Sequence, residues 1–325
     1  MRYPAAMAAL LTAAAAISAG CGEGVRQTVL GAEGEHLVLA MDELTTPGQA
    51  VLLRTQVRGG DFLQGRPGLA VRILRDGRLF KVAETGDDGL ASVTFTPHKP
   101  GDCAFAVHLV PAGFRGKTPP PAGLLVACRK PDEPIAVVDL DKTVVASGFE
   151  AVLLGSPEPM ARSRDILARL ARTRTIVYMT HRPELLGPKS KAWLIDHDYP
   201  PGPLLLSDTE GFLGGSGSYK TSRLAAMRKT FPRVRLGIGD KLSDARAYLD
   251  NDMKAVLILD IPPAGVKDRA GKLRALADEL SQFADDEEIQ VVTGWDEVEK
   301  ALFDGQAYPP SSMRRRLMEM AAGNN

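Results

Sequence analysis

The segment Asp139-Leu140-Asp141-Lys142-Thr143 puts two carboxylates two residues apart, directly after the apolar run Ile135 to Val138. Two acids leaving a strand together repel each other unless a cation neutralises them. Carboxylate oxygens are hard ligands, so the pair suits Mg2+. Three other segments end in groups of matching chemistry. Thr180 closes Thr175-Ile176-Val177-Tyr178-Met179 with a hydroxyl, and Lys220 opens a helical stretch with an ammonium. Gly239-Asp240-Lys241-Leu242-Ser243-Asp244 adds two carboxylates after Arg235 to Ile238. Each group alone has a plain use as a polar turn, strand-end hydroxyl, surface lysine or helix N-cap. Lys189 and Lys191 compete with Lys220 for the ammonium role. His181 and Arg182, next to Thr180, fit either substrate contact or an ordinary surface.

For these groups to meet, their strands must lie parallel in one sheet, because ligands of open parallel sheets bind beyond the carboxyl ends of the strands. The pattern after Pro134 supplies such strands. Ile135 to Leu140 is continuously apolar apart from Asp139, as a strand buried on both faces requires. Helical and apolar segments then alternate. The predicted helices are 163–171, 188–197, 220–230, 243–251, 270–283 and 295–303, and the predicted strands are 175–179, 204–206, 235–238, 255–259 and 289–292. That alternation predicts a doubly wound α/β sheet over 134–306, followed by a tail over 307–325. Residues 30–131 read differently. Short segments such as Ala50 to Val57, Ala70 to Leu74 and Ala91 to Phe95 are separated by Pro47-Gly48, Asp76-Gly77 and Asp88-Gly89. Strands at this spacing without a helical period predict an all-β sandwich. The stretch Glu84 to Pro97 resembles the hairpin edges of bacterial Ig-like domains, which makes the expected fold an Ig-like sandwich ahead of the α/β domain.

The 325 residues carry 40 Lys+Arg against 40 Asp+Glu, so the formal net charge is zero and no global basic field exists to hold nucleic acid. With 44% apolar and 25% charged residues the chain is globular, which excludes a disordered or multi-span membrane protein.

The order Asp-x-Asp-x-Thr, Thr, Lys, Gly-Asp-x-x-x-Asp over Ile135 to Phe303 resembles the four motifs of the haloacid dehalogenase (HAD) superfamily of phosphatases. The resemblance implies a HAD-like fold and a phosphoric monoester hydrolase with Mg2+ as cofactor. In it, Asp139 is the nucleophile that becomes a phosphoaspartate, and Asp141 is the general acid/base, whose presence favours a phosphatase over a dehalogenase. Thr180 binds a phosphoryl oxygen, and Lys220 neutralises charge on Asp139 and phosphate. The metal ligands are Asp139, Asp141 through its backbone carbonyl, Asp240 and Asp244, the last of which alternatively orients Lys220. Lys142 stands where a Gly is often seen. Neither Thr143 to Thr180 nor Thr180 to Lys220 is long enough for a large cap domain, so an open site for a bulky or surface-bound substrate is expected. Tyr178-Met179-Thr180-His181-Arg182-Pro183, Trp193-Leu194 and Pro201-Gly202-Pro203-Leu204-Leu205-Leu206-Ser207 resemble lipin-type phosphatidate phosphatases and lipin-like domains, some of which bind phosphatidic acid without hydrolysing it. The resemblance implies phosphatidate or a related lipid phosphate as substrate. A soluble phosphomonoester, or a non-catalytic phospholipid-binding role, is the alternative.

Arg2, the Ala-rich run Ala5 to Ile17 and the small residues Ser18-Ala19-Gly20 before Cys21 form a signal-peptide pattern over 1–21. Small residues before a Cys resemble the lipobox of bacterial lipoproteins. That implies export, acylation of Cys21 and anchoring in the cell envelope or periplasm, with the membrane as partner. Export also bears on Cys103 and Cys128, which fall in two predicted strands joined as a hairpin. They form either a disulfide across the pair or two separate core thiols. The run Arg314-Arg315-Arg316 fits a solvated helix face or attraction to anionic lipid.

Overall fold

The computed structural model describes residues 36–60, 63–111, 118–148, 156–208, 215–286 and 288–323. The signal pattern and Cys21 lie outside the described residues. Contacts divide the described chain into two compact units, one drawn from 1–131, 147–157 and 182–212, the other from 132–146, 158–181 and 213–325.

Nine strands build most of the first unit: β1 (His36–Ala40), β2 (Glu43–Thr45), β3 (Val51–Gly59), β4 (Gln64–Gly65), β5 (Ala70–Arg75), β6 (Arg78–Glu84), β7 (Leu90–Phe95), β8 (Gly101–Leu109) and β9 (Ala122–Cys128). One sheet has the order β1-β3-β4 with β7 also paired to β3, and the other runs β2-β9-β8-β5-β6. Strict alternation drives the sandwich. In β3, Leu53, Thr55 and Val57 are buried while Arg54, Gln56 and Arg58 are half-buried, which sends one face inward. Val38, Leu53, Val57, Val71, Phe105 and Val126 from both sheets close into one core. This is the all-β sandwich expected from the spacing of turns. The edge strand β6 escaped prediction because it shows no alternation: six of its seven residues are exposed.

The disulfide alternative for Cys103 and Cys128 is not what forms; both thiols are free and buried. The expected β8–β9 hairpin is present, but its register sets Cys103 opposite Val126 and Cys128 opposite Gly101. The two cysteines are therefore diagonal rather than directly opposed across the ladder, and both pack as core residues.

Between β1 and β2 the chain changes sheets, and Asp42 sits buried at that corner. The Leu125 and Leu204 amides donate to its two oxygens at 2.8 and 2.9 Å, and Lys191 Nζ lies 2.6 Å from Oδ1. The same ammonium donates to the Ala40 and Gly123 carbonyls, each at 2.8 Å.

Further along follow β10 (Ile135–Val138), α1 (Ser163–Leu170), β11 (Thr175–Pro183), a 3-10 turn (Glu184–Leu186), α2 (Gly187–Asp196), which carries Lys191, and β12 (Leu204–Ser207). Then come α3 (Ser216–Thr230), β13 (Val234–Gly239), α4 (Leu242–Leu249), β14 (Lys254–Ile258), α5 (Arg269–Leu280), β15 (Ile289–Val292), α6 (Trp295–Phe303) and α7 (Pro310–Ala321). The sheet order is β12-β11-β10-β13-β14-β15. The pairs β10/β11, β10/β13, β13/β14 and β14/β15 are all parallel. Every residue of β10 is buried, as its unbroken apolar sequence requires. Numbered by succession the order is 3-2-1-4-5-6, and the direction of strand addition reverses between β10 and β13, where the crevice of such a sheet opens. The expected tail over 307–325 contains α7, which buries Met313 and Leu317 one turn apart and leaves Arg314 to Arg316 exposed. No described helix is long and apolar enough to cross a membrane.

Candidate active site

β10 delivers Asp139 and β13 delivers Asp240, on either side of the switch point. The Asp139 amide donates to the Ile238 carbonyl at 2.9 Å, which ties the two strand ends together. α4 begins just after Asp240 and holds Asp244 in its first turn, where the helix dipole favours an anion. Gly239 makes this approach possible. A Cβ there would stand 2.7 Å from Asp244 Oδ2 and 2.9 Å from Asp244 Cβ. Gly237 makes room in the same way for the Tyr248 ring, whose hydroxyl donates to the Ile238 carbonyl at 3.2 Å.

Lys220 comes from α3, which starts one turn earlier than its sequence pattern predicts, so the lysine lies inside the helix rather than at its start. Its Nζ is 2.9 Å from Asp139 Oδ1 and 2.8 Å from Asp244 Oδ1, with the side chains 1%, 4% and 0% exposed respectively. Asp244 Oδ1 is thus held by the ammonium, whereas Asp244 Oδ2 and Asp240 Oδ1 are buried without hydrogen-bond partners. Ligand atoms of Asp139, Asp240 and Asp244 lie within 4.8 Å of one another. Three carboxylates thus face one ammonium. Burial pushes the Asp240 carboxyl up to about 8, with the Asp139 and Asp244 charges adding to the effect. Burial also raises Asp139, against the opposing pull of Lys220. Burial alone would lower Lys220, but Asp139 and Asp244 together lift it well above its ordinary value. Three crowded carboxyl groups that resist ionising without a cation, and the buried Asp240 Oδ1 and Asp244 Oδ2 without partners, fit a divalent cation held by Asp139, Asp240 and Asp244.

The remaining sequence-predicted residues divide. Thr180 is buried on β11, two positions past the register pair Val138–Tyr178, so it reaches the same sheet edge as Asp139. β11 continues to Pro183, four residues beyond the predicted strand, so His181 and Arg182 lie on the strand itself. The His181 ring is 6.2 Å from that of Tyr219, and Arg182 is buried with Nη1 donating to Ser190 Oγ at 2.8 Å, which rules out an ordinary surface role for the arginine. Of the competing lysines, Lys191 is taken by Asp42. The Asp141 carboxylate is half-buried in the loop after β10 and is not among the three clustered acids.

That loop is built tightly. The amides of Thr143, Val144 and Val145 all donate to the Leu140 carbonyl, at 3.2, 3.0 and 2.9 Å. Lys142 has φ of 55°, the left-handed region that favours glycine. Its ammonium pairs with Asp260 at 2.6 Å, and Trp295 Nε1 donates to the Thr143 carbonyl at 2.7 Å. Sequence reasoning missed Asp260, Tyr248 and Trp295; the partners of Asp260 and Trp295 lie 118 and 152 positions away, and Tyr248 packs back on its own strand–helix connection, which no local pattern marks.

No family model matches the sequence, and no curated relative does either. Among solved structures the chain is similar to the titin M3 domain, at 10% identity over 30% of this chain and 98% of that one with a TM-score of 0.23. Fibronectin(III)-like modules of Clostridium thermocellum CbhA match at 10% identity over 29% of this chain and 97% of that one, TM-score 0.22. The N-terminal Ig1-2 module of the Drosophila receptor protein tyrosine phosphatase DLAR matches at 11% identity over 33% and 60%, TM-score 0.23.

Proposed function

We propose that this chain is a Mg2+-dependent phosphomonoester hydrolase of the HAD type. One observation carries the reading: Asp139, Lys220, Asp240 and Asp244, from segments up to 105 positions apart, converge in a buried cluster of three carboxyl groups around one lysine. A purely structural cluster would be self-neutralising.

Asp139, fixed through Oδ1 by Lys220, attacks phosphorus with a carboxylate oxygen. The ester P–O bond breaks, and the leaving alkoxide takes a proton from Asp141. Asp141 then removes a proton from water, the water oxygen attacks phosphorus, and the aspartyl P–O bond breaks to release inorganic phosphate. Thr180 donates to a phosphoryl oxygen, and Lys220 balances charge on Asp139 and phosphate together. When bound, Mg2+ supplies positive charge to the phosphoryl oxygens.

For the substrate we favour a lipid phosphate, on the resemblance in Tyr178 to Pro183 and Pro201 to Ser207. Cys21, acylated after export, would keep the enzyme at a membrane where such a substrate is presented. Release of inorganic phosphate from phosphatidate vesicles and from soluble esters, with Mg2+ and with chelator, tests the reading. Hydrolysis that stops with chelator and with Asp139→Asn supports it. Vesicle binding without release of phosphate in any assay overturns it in favour of a binding module.

A further inference from the structure

Beside the carboxylate cluster, the second unit contains a cavity of about 370 Å3. Its deep wall is Ile258 and Leu259, which are buried where β14 ends. Met160 and Ile261 close the sides, and Ala146, Lys142 and Asp260 stand exposed at the mouth. The wall near the active site is rigid. The Ala146 amide donates to the Glu158 carbonyl at 2.9 Å and the Met160 amide to the Val144 carbonyl at 2.7 Å, which fixes a ledge continuous with the loop bearing Asp141. Lys142 belongs both to that loop and to the cavity, only three residues from Asp139. The cavity therefore opens at the sheet edge where phosphate is to be cleaved.

The lining sorts by chemistry. Five of the eight lining residues are apolar, and the one cation among them, Lys142, is already paired with Asp260. Thr293 Oγ1 is engaged with Glu297 at 3.0 Å. A second phosphate or a sugar would find few uncommitted polar partners, whereas a hydrocarbon would cover Ile258, Leu259, Met160 and Ile261. At about 30 Å3 for a water-sized group, the space holds roughly a dozen such groups, within the size range of small-molecule sites.

We propose that this cavity receives the hydrocarbon part of the leaving alcohol, so that the enzyme selects phosphomonoesters carrying one apolar chain or ring next to the ester oxygen. The proposal rests on the hydrolase reading and narrows its substrate class. A chain longer than the cavity leaves by the mouth past Ala146.

The test uses the full chain with Mg2+ and compares methyl, hexyl and octyl phosphate. The expected result is a kcat/KM for octyl phosphate at least about tenfold above that for methyl phosphate, the discrimination an apolar pocket commonly gives. Ala146→Trp fills the mouth and should abolish that gain while leaving methyl phosphate turnover unchanged; Ile261→Phe serves if the first variant folds poorly. Equal kcat/KM along the series, or equal losses for methyl and octyl phosphate in the variant, overturns the cavity assignment. Calorimetry with octylphosphonate separates this outcome from failure of the hydrolase reading. If no ester is cleaved yet octylphosphonate binds the unsubstituted protein and not Ala146→Trp, hydrolysis falls and the apolar pocket stands. If it binds both alike, the pocket falls too.

Discussion

Two buried acidic centres in this chain show opposite solutions to one problem. Asp42 is a single carboxylate with two backbone amides and one lysine directed at it, and its oxygens are satisfied. The cluster of Asp139, Asp240 and Asp244 has one lysine for three carboxylates and keeps buried oxygens without partners. Burying an unbalanced charge is costly, so proteins keep such arrangements where a ligand completes them. Asp42 is a closed centre, and the cluster is where the proposed chemistry would sit; the difference lies in satisfaction rather than depth.

The sharpest way to break this contrast is to neutralise one acid in each centre. Asp139→Asn should lower phosphatase kcat by about 10⁴-fold, equivalent to about 5.5 kcal/mol, while thermal unfolding shows stability equal or higher, because repulsion is relieved. A large loss of stability would mean that the cluster is structural. Asp42→Ala should do the reverse: about 1–3 kcal/mol of destabilisation in denaturant titrations, from leaving the Leu125 and Leu204 amides without their acceptor, with kcat per folded molecule preserved. Gly239→Ala should cost about 1–3 kcal/mol by pressing on Asp244, visible as lower Tm together with weaker Mg2+ binding. Normal Mg2+ affinity in that variant would show that Asp244 can retreat without consequence.

The smallest effect concerns pH. Without metal, Asp240 keeps its proton up to about pH 8, whereas in the unfolded chain it loses it near 3.8. Between these values the folded state binds more protons, so this group's contribution to stability is present at low pH and is lost as pH rises toward 8. Mg2+ competes with that proton. At a fixed concentration equal to ten times its Kd at pH 8.5, the ion should add about 1.4 kcal/mol to stability at that pH, and the gain in Tm should be smaller at pH 6.5. A gain independent of pH would remove Asp240 from the metal site.

What could be read in the sequence follows how local each signal is. β10, β15 and α6 were legible almost to the residue, because short β-branched apolar runs and an amphipathic period are properties of adjacent residues. The carboxylates after β10 and β13 were legible because they follow such runs immediately. Lys220 is preferred over Lys189 and Lys191 through the order of motifs rather than any local signal, since all three lie on helices and only packing brings one of them to Asp139. Asp42 left no trace, because its partners lie 83, 149 and 162 positions away. The cysteine pair was misjudged for a similar reason: composition can suggest a hairpin, but a two-residue offset in register belongs to the turn and the core.

Trp295 ties the start of α6 to the loop after β10. The indole N–H reaches back 152 positions to the carbonyl just beyond Asp141 and Lys142. Synthesis runs from the N-terminus, so a nascent chain displays all four acidic residues before this anchor has emerged. The loop bearing Asp141 is clamped only once α6 has been made, and a chain cut short before α6 would carry all four acids yet lack the clamp on that loop.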